Sequence, residues 1–182
     1  MKRMLVLATM AIFASCNSNN SAKTDTMASP KDSTAMSITS PYPIQYSSDF
    51  AMGNPKNAED LLTLWKDWDN GNLSVHKNLF ADSVEMHFAD GSVMHTTRDS
   101  AIASAQSYRN SLASSVSTID AIMPAKSVDK NENWALIWGK EVDTDKQGKV
   151  DSFYFQETWR FNKDGKADLF YQYKSGAAPP KK

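Results

Sequence analysis

Apolar side chains recur at helical spacing in three segments, and this pattern predicts three helices in the N-terminal half of the folded region. The first helix follows Asn57, a candidate N-cap, and ends at Asn70-Gly71. The second is a short helical turn over Leu73–Phe80. The third begins at a capping Thr96 or Thr97 and runs to Leu112.

Alternating apolar and polar residues predict strands between and after these helices. Two short strands flank the Asp90-Gly91 turn. Four longer ones are expected near Val116–Val128, Trp134–Asp143, Val150–Phe161 and Lys166–Lys174, separated by turn residues. Helices followed by consecutive hairpins predict an α+β fold, with the helices packed on the concave face of a curved antiparallel sheet.

Pairing Asp143 with Val150 places a mostly aromatic set of residues on one face of the two strands Trp134–Asp143 and Val150–Phe161. The set is Trp134, Leu136, Trp138, Phe153, Phe155, Glu157 and Trp159. Pairing Phe161 with Lys166 adds Phe170 and Gln172 to the same face. We therefore predict an apolar pocket whose ligand-binding residues include Trp138, Phe155, Phe170, Gln172 and, from the first helix, Trp65.

Glu157 is the exceptional residue of this face, because it is a carboxylate among aromatic rings. If it is buried, its pKa rises, which is the usual preparation for a general acid or base near neutral pH. The alternative is that Glu157 pairs with Lys140 on the same face or lies at the wet rim of the sheet.

The opposite face of the sheet carries Tyr154, Gln156, Tyr171 and Tyr173. Amphipathic aromatic residues fit a subunit interface at least as well as a ligand site. This face is therefore a candidate interface for a homodimer.

His87 and His95 flank the Asp90-Gly91 turn, and one residue of register decides whether they meet. A two-residue turn pairs Met86 with His95 and separates the histidines. A three-residue turn pairs Glu85 with His95 and brings His87 alongside, as in a two-histidine, one-carboxylate site. Nothing in the spacing requires a metal, so we predict none.

The formal charge of −1 lacks the basic excess of a nucleic-acid-binding protein, and no nucleic-acid partner is expected. A single cysteine excludes a disulfide scaffold and a multi-cysteine zinc site. No glycine-rich phosphate loop, nucleophile elbow or dinucleotide fingerprint occurs, and we expect no cofactor.

Residues 1–15 have a basic start and a short apolar run, which is typical of an export signal. The run is too short to span a bilayer, for which about 20 residues are needed. It ends at Phe13-Ala14-Ser15-Cys16, which resembles the lipobox of bacterial lipoproteins, although Phe13 replaces the usual aliphatic residue. This resemblance implies lipidation of Cys16 and a membrane-anchored protein facing the periplasm; the alternative is an ordinary cleaved signal followed by a free thiol.

Residues 16–56 are rich in small and polar residues and predict a flexible tether, with Tyr42, Ile44, Tyr46 and Phe50 available to pack on the domain as an arm. Residues 57–174 form the domain. Residues 175–182 are expected to be a disordered tail.

The domain resembles the nuclear-transport-factor-2-like, SnoaL-like superfamily. The resemblance is carried at the start by Leu61-Leu62, Asn70-Gly71-Asn72 and Leu79-Phe80-Ala81-Asp82, and at the end by Thr158-Trp159-Arg160-Phe161 before Asp164-Gly165-Lys166. It implies a cone-shaped scaffold that usually dimerises and binds apolar ligands in its mouth. Many SnoaL-like cyclases carry an acid/base aspartate where this chain has Gln172, so the resemblance does not extend to cyclase chemistry.

Two functions from different classes remain open at this point. The first, which we favour, is a lipid-anchored domain that binds a small apolar ligand or a partner without catalysis. The alternative is a small lyase, isomerase or hydrolase that uses Glu157 or His87 as its general base.

Overall fold

A computed structural model describes residues 38–176. The predicted export signal, Cys16, most of the predicted tether and residues 177–182 lie outside the described residues. Among the residues described, no helix has the length and apolar character needed to cross a membrane.

Two α-helices form within residues 38–176, where three had been predicted. Helix α1 spans Pro55–Asn70, and its N-cap is Asn54, whose side chain accepts a hydrogen bond from the Lys56 amide at 3.0 Å. The prediction that Asn57 caps this helix is wrong, because Asn57 is buried within the first turn. Gly71 ends the helix in the left-handed conformation, with φ 72°.

The second predicted helix is reduced to a single 3-10 turn at Lys77–Leu79. Its sequence offers only a few apolar positions, which is too little to stabilise a longer helix against the cost of nucleation. Helix α2 spans Arg98–Ser111 and is capped by Thr97, one of the two predicted caps.

Seven strands form one curved sheet in the order β1-β4-β5-β6-β7-β2-β3. Their bounds are β1 Phe50–Met52, β2 Phe80–His87, β3 Val93–Thr97, β4 Leu112–Ser127, β5 Glu132–Asp145, β6 Val150–Phe161 and β7 Ala167–Gly176. The sheet is mixed, because β2 lies parallel to β7, and the prediction of a wholly antiparallel sheet is corrected at this point. Hairpin patterns identify neighbours in sequence but cannot show that an early strand pairs with the last one.

The C-terminal part of the predicted tether is paired with the sheet. Strand β1 pairs with the edge of β4, with Phe50 opposite Ser127. Ahead of it, the ring of Tyr46 meets that of Trp134 edge-on at 5.9 Å. Phe50 and Tyr46 thus behave as the arm predicted from the sequence.

The sheet has two distinct faces. Its helix-covered face packs against α1 and α2 to form the main core, which includes Leu61, Leu64, Ala101, Ile102, Ala135, Ile137, Trp159, Phe161 and Phe170. Its outer face carries a smaller cluster around Ala125, Trp134 and Leu169. Burial of the larger cluster is what fixes the helices on the sheet.

The predicted register of β5 against β6 is wrong by one residue. Thr144, not Asp143, lies opposite Val150, so Gly139 faces Phe155 and Trp138 faces Gln156. Side chains alternate between faces, so this single step moves Trp134, Leu136 and Trp138 to the outer face.

The cause of the shift lies in the turn. Asp145 and Lys149 close a three-residue loop through a backbone hydrogen bond of 2.9 Å, and the Asp145 carboxylate accepts bonds from the amides of Gln147 and Lys149. Gly148 supplies the positive φ of 85° that such a loop needs.

Candidate functional site

A cavity of about 550 Å³ lies between the helices and the helix-covered face of the sheet. Its walls are mainly aromatic and aliphatic, and they include Leu64, Trp65, Trp68, Phe80, Met86, Phe88, Tyr108, Phe155, Trp159 and Phe170. This volume and lining are typical of a small-molecule site.

The helical wall of the cavity is fixed by Arg109, which is buried on α2. Its Nε donates to the Trp68 carbonyl at 2.8 Å, and its Nη2 donates to the Asp69 carbonyl at 3.0 Å. These bonds reinforce the C-terminal end of α1, where the Trp68 carbonyl also accepts the Gly71 amide at 2.9 Å. Trp68 and Tyr108 consequently stack, with ring centroids 5.9 Å apart.

Gly139 makes room for Trp65 over the sheet. A methyl group at this position would lie 2.8 Å from the Thr118 carbonyl oxygen and 3.1 Å from the Trp65 ring. The absence of a side chain therefore lets the indole of Trp65 approach β5 and reach across to Glu157 on β6.

Glu157 is buried in the cavity wall, with 6% of its surface exposed. Its Oε2 accepts hydrogen bonds from the indole Nε1 of Trp65 at 2.8 Å and of Trp159 at 2.9 Å. Its Oε1 accepts a bond from Gln172 Nε2 at 3.0 Å. Three neutral donors from α1, β6 and β7 thus converge on one carboxylate.

Burial raises the pKa of Glu157, and the hydrogen bonds from Gln172, Trp159 and Trp65 oppose that rise. The two alternatives considered for this residue are wrong. Lys140 lies opposite Tyr154 and places its ammonium 5.8 Å from that ring, on the outer face of the sheet. Glu157 is buried and not at a wet rim.

The structure brings together most of the predicted ligand-binding residues. Trp65, Phe155, Phe170 and Gln172 all line the cavity with Glu157. Their role in binding stays a prediction. Trp138 is the exception, since the corrected register turns it to the outer face, where 36% of its surface is exposed.

His87 does not lie in the cavity, and its proposed role as a base there is wrong. Its neighbours Met86 and Phe88 line the cavity, so alternation along β2 directs His87 to the outer face. There its Nε2 is 2.6 Å from Glu85 Oε1, and its ring centroid is 4.5 Å from that of Tyr171.

The β2–β3 hairpin adopts the second of the two predicted registers, with Glu85 opposite His95. His95 Nδ1 is 3.7 Å from Glu85 Oε2, so the two histidines and the carboxylate do share one face. Within residues 38–176, however, no group of three or more histidine, cysteine or acidic side chains has the arrangement of a metal site.

Two acidic residues of the site were missed by the sequence reasoning. Glu141 and Asp143 lie on the helix-covered face of β5, with 9% and 5% of their surfaces exposed. Burial, followed by the negative charges of Asp143 and Glu157, raises the pKa of Glu141 to about 8. The correct register of β5, had it been predicted, would have placed both carboxyls on this face.

Comparison with solved structures shows the fold of nuclear-transport-factor-2-like and SnoaL-like proteins. An NTF2-like protein of unknown function from Burkholderia pseudomallei K96243 is 18% identical, with a TM-score of 0.52 over 65% of this chain and 91% of that one. A SnoaL-like protein of unknown function from Burkholderia thailandensis E264 is 12% identical, with a TM-score of 0.52 over 69% of this chain and 100% of that one.

A third similar structure is an NTF2-like protein of unknown function from Exiguobacterium sp. 255-15. It is 15% identical, with a TM-score of 0.51 over 68% of this chain and 98% of that one. No protein-family model matches the sequence, and no curated protein matches it. At these identities the likeness establishes the fold, and the chemistry must be argued from the cavity itself.

The raised pKa of Glu141 predicts that folding stability falls as the pH rises. Between its ordinary pKa of 4.5 and about 8, the folded protein holds a proton that the unfolded chain releases. The free energy of unfolding should therefore decrease between pH 5 and pH 8 by a few kcal/mol, at about 1.4 kcal/mol per pKa unit. Urea unfolding followed by tryptophan fluorescence measures this slope.

Replacing Glu141→Gln should flatten that dependence and stabilise the protein at pH 8. The control is Glu59→Gln, the same change at an exposed position of α1, which should leave the slope unaltered. Equal slopes for the Glu141→Gln and wild-type proteins would show that Glu141 titrates normally.

Proposed function

We propose that this protein binds a small, mainly apolar ligand in the cavity between its helices and sheet. The observation that carries the proposal is the buried Glu157 carboxylate, held by three N–H donors in the wall of an aromatic cavity of about 550 Å³. A preformed apolar pocket with a few placed polar groups is the usual form of a ligand site.

The polar end of the cavity is suited to binding more than to proton transfer. Gln172 stands where many SnoaL-like cyclases have an aspartate, and an amide does not exchange protons near neutral pH. Its Nε2 already donates to Glu157, and Glu157 Oε2 already accepts two bonds. These groups can orient a polar substituent of a ligand through the remaining lone pairs.

The proposal extends to location and assembly. The export signal and the lipobox-like Cys16 support a lipoprotein anchored in the cell envelope and facing the periplasm. Exposed aromatic residues on the outer face, chiefly Tyr154, Tyr173 and Trp138, support a homodimer formed through that face.

Filling the cavity should abolish ligand binding. In Ala105→Phe a phenyl ring enters the cavity from α2, whereas Ala103→Phe adds the same ring at an exposed position of that helix. Native mass spectrometry of the purified protein should show a dimer with a bound small molecule for wild type and Ala103→Phe, and a dimer without it for Ala105→Phe. Thermal unfolding checks that both variants fold.

An unliganded wild-type protein, or an adduct that survives in Ala105→Phe, would contradict the binding proposal. A monomer would contradict the proposed dimer, but it would not affect the conclusion on ligand binding.

The second candidate is a small lyase, isomerase or hydrolase with Glu157 as general base. It is favoured by one observation, that burial raises the pKa of a carboxyl in the cavity wall. Incubating the protein with the molecule found in the cavity should then convert it, and Glu157→Gln should retain binding while losing at least a hundredfold in rate. Absence of conversion by the wild-type protein would exclude this candidate for that ligand.

Lipidation of Cys16 predicts membrane attachment that depends on that side chain alone. Cys16→Ser removes the thiol that carries the lipid, so the protein should move from the membrane fraction to the soluble fraction after cell lysis. Incorporation of labelled palmitate by wild type, and none by Cys16→Ser, is the companion measurement. Equal partitioning of the two proteins would favour the cleaved signal with a free thiol.

A further inference from the structure

The buried carboxyl of Glu157 has one hydrogen-bond position that its three protein partners do not fill. An ionised carboxylate offers about four lone-pair positions, divided between its two oxygens. The Oε2 atom uses its positions for the indole N–H groups of Trp65 and Trp159. The Oε1 atom accepts one bond, from Gln172 Nε2. Because Glu157 and Gln172 both line the cavity, the remaining position of Oε1 is offered to a molecule bound there.

The partners of Glu157 determine that this open position is an acceptor. All three are N–H donors, and none of these N–H groups can accept a hydrogen bond in return. Burial raises the pKa of Glu157, but the three hydrogen bonds lower it, because they stabilise the ionised form. A proton would have to lie on Oε1, where it would meet no acceptor among the three partners. The ionised carboxylate is therefore the form that fits its surroundings, and it requires a donor from the ligand.

A hydroxyl group matches what Glu157 and Gln172 offer together. Its O–H can donate to Glu157 Oε1. Its oxygen can accept from the amide nitrogen of Gln172, which carries two hydrogens and directs one of them at Glu157. A ketone or ether oxygen can only accept, so it would leave the buried carboxylate position unpaired and place a partial negative charge beside it.

An anionic group would be repelled at this polar end of the cavity. Like charges interact strongly in a wall of low polarity. Lys174 is the one cation among the described residues that line the cavity, and its ammonium lies 3.3 Å from the centre of the Phe153 ring and 5.4 Å from that of Phe155. On β6, Phe153 is farther than Phe155 from Glu157, so this ammonium points away from the carboxylate. The lining supplies no countercharge for an anion next to Glu157.

The rest of the cavity fits the apolar body of a ligand. The Trp159 ring lies 5.8 Å from that of Phe80 and 4.8 Å from that of Phe170, and Phe88 meets Phe170 edge-on at 5.7 Å. Rings that pack on one another in this way form a wall that exists before the ligand binds. A preformed apolar wall with few polar groups orients a ligand by those groups alone.

From this arrangement we infer that the ligand is an alcohol or a phenol, whose apolar body fills the cavity and whose hydroxyl group donates a hydrogen bond to Glu157 Oε1 beside Gln172. This inference rests on the proposed binding function and narrows its ligand to a chemical class. It also gives Glu157 a part in recognition, in addition to its bonds with Trp65 and Trp159.

Three probes built on one carbon cage test the inference on the full-length protein. The polar group of 2-adamantanol donates, that of 2-adamantanone only accepts, and that of adamantane-2-carboxylate is an anion. Isothermal titration calorimetry at pH 7 should give a dissociation constant at least tenfold lower for the alcohol than for the ketone, because the ketone leaves a buried acceptor unpaired. The carboxylate should bind more weakly than the ketone.

The variant Glu157→Gln assigns the preference for the alcohol to this side chain. The indole N–H groups of Trp65 and Trp159 require an oxygen at the position of Oε2, so the new amide nitrogen takes the position of Oε1. A donor then replaces the acceptor that the ligand meets, and the amide of Gln172 can rotate to offer its oxygen to the new N–H. The variant should bind the ketone at least as tightly as the alcohol.

The control is Glu59→Gln, the same change at an exposed position of α1, which should keep the wild-type preference. Thermal unfolding checks that both variants fold. If Glu157→Gln does not fold, the comparison of alcohol and ketone on the wild-type protein still decides the inference.

The outcomes separate this inference from the binding proposal. Equal or tighter binding of the ketone by the wild-type protein would overturn the alcohol class, and apolar binding would stand with Glu157 as a structural residue only. A preference for the alcohol that persists in Glu157→Gln would overturn the part given to Glu157. Tighter binding of the carboxylate than of the alcohol would overturn the inference in favour of an anionic ligand. Failure of all three probes to bind would count against the proposed function and the alcohol class together.

Discussion

The arrangement of the site depends on one buried carboxylate. Placing Glu157 in an aromatic wall costs free energy, and this cost is offset only if hydrogen-bond donors reach it. They come from three elements, Trp65 on α1, Trp159 on β6 itself and Gln172 on β7. The same bonds that satisfy the carboxylate therefore hold the helix, the central strands and the last strand in register around the cavity.

The two faces of the sheet carry different kinds of side chains. The helix-covered face holds the cavity and the carboxyls of Glu141, Asp143 and Glu157. The outer face holds paired charges, such as Arg160 with Asp168, and exposed tyrosines. Side chains alternate between the two faces along a strand, and this alternation decides whether a given side chain can take part in the cavity. His87 and Trp138 illustrate this, since both are chemically suitable for a site and both face away from it.

Much of the fold followed from local signals. The apolar stripes of α1 and α2, the Thr97 cap of α2, and the four long strands with their turns all reflect interactions between residues close in sequence. Local sequence patterns gave the wrong prediction where the structure of a segment depends on contacts with residues far away in the chain. The stretch Leu73–Phe80 has too few apolar residues to stay helical alone, and the parallel pairing of β2 with β7 joins strands that are far apart in the chain.

The sequence by itself determined that Phe155, Glu157 and Trp159 lie on one face of β6 and that Phe170 and Gln172 lie on one face of β7, because side-chain alternation within a strand is local. Only the tertiary structure decided which residues of β5 lie on the same face of the sheet as these side chains. The Asp145–Lys149 loop shifts β5 by one residue, removing Trp138 from the cavity face and bringing in Glu141. A one-residue change in a turn costs little locally, yet it exchanges the two faces of a whole strand, so only the packed sheet fixes the outcome.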